Sequence, residues 1–62
     1  MYEDDVQLKI DKLLDSLENE YNYYTSLGNK ALEKGNFVGA NLHFIEASAF
    51  GRAKFIAEDI LF

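Results

Sequence analysis

Ala31-Leu32-Glu33-Lys34-Gly35-Asn36-Phe37-Val38-Gly39-Ala40 is the stretch whose reading decides the fold. It stands in a chain of 62 residues that has no proline. Gly35-Asn36 is therefore the strongest punctuation available. Glycine can take the left-handed conformation that ends a helix, and asparagine can cap the next one. A connection this short predicts two helices packed antiparallel.

Upstream of the turn, Val6, Ile10, Leu13, Leu14, Leu17, Tyr21, Tyr24, Leu27, Ala31 and Leu32 recur at intervals of three and four. That is the stripe of an amphipathic helix, placed over about residues 4–34. Leu8 and Tyr23 fall off the stripe. Asp4 with Gln7 reads as a capping box, and Asp5–Lys9 is oriented for an (i, i+4) contact. Gly28 is read as a site of close approach, since the pattern continues beyond it.

Downstream, the second helix spans about residues 37–60 and carries two apolar stripes. One holds Phe37, Ala40, Phe44, Ala47, Gly51 and Phe55. The other holds Val38, Leu42, Ile45, Ala49, Ala53, Ile56 and Ile60. A helix apolar on two faces is buried on two faces, and the first helix covers only one. Counting outward from the turn sets Ala31 against Ala40, Leu27 against Phe44 and Tyr24 against Ala47. It sets Tyr21 near Gly51 or Arg52, and Leu17 near Phe55. Tyr21 and Tyr24 are assigned to the core.

The fold class is thus all-α: residues 1–62 form a single two-helix antiparallel hairpin. Two helices share one line of contact, too little core for a chain of this size to stand alone. The second stripe would expose a larger apolar patch than monomers usually carry. A homodimer forming a four-helix bundle is the favoured remedy, with a helix from another protein as the alternative. The self-association face is Val38, Leu42, Ile45, Ala49, Ala53, Ile56 and Ile60.

Tyr24, Leu27-Gly28, Gly35-Asn36-Phe37, Ala40, Phe44 and Ala47 follow a known order of aromatic, Leu-Gly, Gly-x-aromatic, then alternating small and aromatic residues. On these residues the stretch Tyr24–Ala47 resembles a single tetratricopeptide unit. Ala31 stands where that pattern has an aromatic, and Arg52 where it has a proline. One unit falls short of the three or so repeats a solenoid needs. Shared hairpin packing and repeat ancestry both account for the match. Ancestry would imply a peptide- or protein-binding scaffold without chemistry.

Composition excludes several function classes. There is no cysteine, so neither a disulfide scaffold nor a cysteine-ligated zinc site is open to the chain. His43 is the only histidine, and His43-x-x-Glu46 runs opposite to the Glu-x-x-His order of metal-binding bundles. No metal, no cofactor and no catalytic residue is assigned, because Ser16, Ser26 and Ser48 lie in no nucleophile motif and the glycines do not fit a phosphate loop. No segment approaches the roughly 20 apolar residues of a membrane span. The start Met1-Tyr2-Glu3-Asp4-Asp5 has neither the basic opening nor the apolar run of a secretory signal, so the default compartment is the cytosol.

The formal net charge is −5, which argues against direct nucleic-acid binding. That charge is local. Residues 1–20 hold Glu3, Asp4, Asp5, Asp11, Asp15, Glu18 and Glu20 against Lys9 and Lys12, while acids and bases balance over residues 21–62. Asp4, Asp11, Asp15 and Glu18 share one helix face, and Tyr23 is a further candidate for partner contact. The expected function is a small acidic non-enzymatic protein acting through self-association and protein–protein interaction. The alternative is a small phage- or plasmid-type regulator that docks a basic host protein through its acidic helix, as a DNA mimic would.

Overall fold

The structure is a computed structural model that describes residues 2–62, with side chains from Asp4 onward. Two α-helices account for nearly all of it: α1, Tyr2–Glu33, and α2, Phe37–Leu61. They pack against each other as a hairpin.

The turn follows from its two residues. Gly35 has φ +75°, which an L side chain adopts only with strain. Its N–H donates to the Leu32 carbonyl at 2.9 Å, and the Asn36 N–H donates to the Ala31 carbonyl at 2.9 Å. This crossed pair satisfies carbonyls that the end of α1 would leave orphaned. Asn36 then serves α2 as well: its side-chain Oδ1 accepts from the Gly39 N–H at 2.9 Å. One residue closes one helix and opens the next.

The covered face of α2 includes Ala40 and Ala47, the most buried apolar side chains of the described residues at 1% and 3% exposed. Gly28 supplies the matching gap on α1. A Cβ built there would lie 2.5 Å from Phe44 Cε1 and 2.8 Å from Phe44 Cδ1 and Cζ. The Phe44 ring therefore occupies the space that any other residue at position 28 would fill. Tyr21 lies against Gly51, as counting from the turn predicts.

Four expectations are corrected. The cap at Asp4 is not there: α1 already includes Tyr2, so Asp4 sits within the first turn and has no cap position to fill. Gln7 instead donates through Nε2 to Asp11 Oδ1 at 3.0 Å. Phe37 and Phe55 do not face α1 and are 71% and 73% exposed. Both lie about 70° from the Ala40–Ala47 line at 100° per residue, on the flank opposite Phe50; α1 covers the Phe50 and Ala57 flank and leaves this one open. Tyr24 also stacks on Phe50, with ring centroids 5.6 Å apart and an interplanar angle of 5°. Tyr21 remains exposed at the rim. The Asp5–Lys9 contact is not among the ion pairs of the described residues.

The result is thin and long, with Cα extents of 51 × 16 × 10 Å and a radius of gyration of 14.7 Å. A compact chain of this length would have a radius of gyration of about 10.5 Å. Among the described residues, no helix is long and apolar enough to cross a membrane.

Candidate interaction surface

α2 is mostly apolar, yet α1 covers only one side of it. At 100° per residue, Val38, Leu42, Ile45, Ala49, Ala53, Ile56 and Ile60 fall within about 40° of a line through Ala49. That line is diametrically opposite Ala40 and Ala47. All seven residues are exposed, with Val38 and Ile60 at the two ends 77% and 76% accessible. They form a continuous apolar seam along the outside of α2.

Beside the seam, Tyr21, Ser48, Gly51, Arg52, Phe55 and Ile56 line an open groove of about 510 Å³. Phe55 also borders a second recess of about 530 Å³ with Glu58, Asp59 and Phe62. The exposed rings of Phe37 and Phe55 lie on this same flank of α2. The groove is mostly apolar and lacks converging polar groups that would orient a small ligand.

The acidic candidates are placed differently. Asp4, Asp11, Asp15 and Glu18 are all exposed, and helix geometry puts them on one side of α1. Asp11 is engaged by Gln7. Glu18 Oε1 lies 3.5 Å from Lys54 Nζ, which also approaches Glu58 Oε1 at 3.8 Å. Lys54 thus ties the acidic helix to the neutral one. Its position was not legible from apolar spacing, because a lysine interrupts the inward line of Ala47, Phe50 and Ala57.

Tyr23 is exposed on another side of α1, with its ring edge-on to Tyr24 at 5.2 Å and 75°. It therefore does not extend the acidic face. Tyr24 is half-buried between Tyr23 and Phe50. Desolvation raises its hydroxyl pKa above the usual 10.0, and the nearby Glu46 and Glu20 carboxylates and Tyr23 push the same way. Phe50 itself was missed in the sequence reading, since it belongs to neither apolar stripe.

His43 Nδ1 lies 3.5 Å from Glu46 Oε1. The nitrogen is covered by protein and has no hydrogen bond, so the contact is an electrostatic approach with poor alignment. Among the described residues, no three His, Asp or Glu side chains converge as metal ligands would. No family model, no curated protein and no solved structure matches this chain.

Proposed function

We propose that this protein is a non-enzymatic helical hairpin that acts through self-association and protein–protein contact, two copies burying the outer face of α2 in a four-helix assembly. The exposed seam from Val38 to Ile60 carries this reading. Its scale supports it too. The accessible surface is 4864 Å². A compact monomer of this mass would expose about 4100 Å². The difference, roughly 750 Å², is close to the roughly 800 Å² each partner buries in a standard interface.

The acidic face of α1 supports docking to a basic partner less well. Glu18 already faces Lys54 and Asp11 already accepts from Gln7. These leave Asp4 and Asp15 as the exposed members without a described partner.

Light scattering coupled to size exclusion tests the main reading. The expected mass is twice 7.1 kDa, with a melting temperature that rises with protein concentration. A fully helical monomer at micromolar concentration would overturn it.

A further inference from the structure

We propose that the two copies pair α2 against α2 antiparallel, about a two-fold axis passing through Ala49. This rests on the self-association reading and specifies its geometry. The seam residues are separated by four, three and four positions from Val38 to Ala49, and by four, three and four from Ala49 to Ile60. The pattern therefore reads the same in both directions. Reversing a second copy about Ala49 places an apolar residue opposite every apolar residue. Val38 faces Ile60 of the partner subunit, Leu42 faces Ile56 of the partner subunit, and Ile45 faces Ala53 of the partner subunit.

The period matches a straight interface. Val38, Ala49 and Ile60 recur every eleven residues. Eleven residues over three turns is about 3.67 per turn, near the 3.6 of an unstrained helix. The seam thus stays on one line along α2 instead of wandering around it.

Side-chain volumes select the antiparallel direction. In it, each Ile45 projects over an alanine and only the layer at the axis is small on both sides. Ala49 against Ala49 lets the backbones approach closely where the helices cross. A parallel pair would stack two successive alanine layers, at positions 49 and 53, between isoleucine layers at 45 and 56. That arrangement leaves a void or bends both helices, and voids in cores are costly. Charge selects the same direction. Asp11, Asp15 and Glu18 lie toward the C-terminal end of α2, where Glu18 meets Lys54. Antiparallel pairing puts the two acidic segments at opposite ends of the assembly, whereas parallel pairing crowds them at one end.

The absence of cysteine makes disulfide mapping clean. A disulfide needs Cα atoms about 5.5 Å apart. Across an antiparallel axis at Ala49, two copies of position 53 are displaced by eight residues, about 12 Å along the helix. Ala49→Cys, Ala53→Cys and Ile45→Cys variants are oxidised singly and in mixtures and read on non-reducing gels, with reduced masses measured in parallel. Ala49→Cys is expected to convert to cross-linked dimer. Ala53→Cys alone should show only collisional background, and Ala53→Cys mixed with Ile45→Cys should cross-link. Efficient self-linking of Ala53→Cys would overturn the antiparallel register, as would a dimeric Ala49→Cys that does not cross-link. In either case self-association itself stands. A wild-type chain that is monomeric would remove both.

Discussion

Gly28 and Gly35 are both glycines in or beside α1, but their substitutions should fail for different reasons. At Gly28 the backbone is helical and the obstacle is the Phe44 ring, 2.5 Å from an added Cβ. Gly28→Ala gains about 1 kcal/mol of helix propensity. It loses more through overpacking, which costs about 1–3 kcal/mol. A lowered melting temperature is expected, and Phe44→Leu in the same chain should restore part of the loss. At Gly35 nothing lies near an added Cβ, and the obstacle is φ +75°. Gly35→Ala should cost about 1–2 kcal/mol through backbone strain alone, with no rescue from Phe44→Leu. Thermal melts of the three single variants and the two pairs separate the causes. Tyr24 offers a second test at this scale. Its raised pKa means the folded state holds the hydroxyl proton more tightly than the unfolded chain does. Stability from this source is therefore intact below the ordinary tyrosine value near 10 and falls as pH rises from there through the folded value. In an absorbance titration Tyr24 should form phenolate above the ordinary tyrosine value, and Tyr24→Phe should remove that late step. A late step that survived Tyr24→Phe would contradict the packing described for Tyr24.

At the scale of the element, the turn was the most legible feature of the chain. Gly35-Asn36 has few conformational alternatives, and the structure uses both residues as their chemistry suggests. Asn36→Ala should cost about 1 kcal/mol by leaving the Gly39 N–H without its cap, a loss readable in chemical denaturation. The faces of α2 were legible only in part. Spacing identifies which residues share a side, but an apolar residue and its neighbour one step around the helix look alike in sequence. Phe37 and Phe55 fit the inward stripe by spacing and lie outside it, because α1 covers the Phe50 and Ala57 flank and leaves theirs open. Phe50 fits no stripe and is half-buried, because Tyr24 reaches around to stack on it. Lys54 occupies an inward position with its charge turned to Glu18 and Glu58. A polar residue that buries its stem and exposes its head defeats periodicity of this kind. The outward stripe was easier to read, since α1 places no competing residue against it.

For the whole molecule, the decisive quantity is how much of α2 one copy of α1 can cover. A radius of gyration of 14.7 Å belongs to a layer, and a layer one helix thick has its largest surfaces unpartnered. A charge placed on the seam should therefore act on assembly more than on the hairpin. In the pairing about Ala49, Ala53→Glu sets a carboxylate against Ile45 of the partner subunit at each end of the central layer. Burying an unpaired carboxylate there costs several kcal/mol, enough to shift the equilibrium to monomer at working concentrations. The variant's melting temperature should fall and lose its dependence on protein concentration. Ser48→Glu is the matched control. It adds the same charge on the same helix, at a position about 100° from the seam. It also stands four residues before Arg52, where an (i, i+4) pair is mildly favourable. Its dimer should survive with a melting temperature near that of the parent. If both variants stayed dimeric, neither the seam nor the groove that Ser48 lines beside Phe55 would be the interface. If both became monomeric, the Ser48→Glu loss would reflect added negative charge on an already acidic chain. Raising the salt concentration would then restore the Ser48→Glu dimer, since repulsion between exposed charges more than about 10 Å apart is largely screened at 0.1 M. Salt should not restore the Ala53→Glu dimer, because desolvation of a buried charge is not relieved by screening.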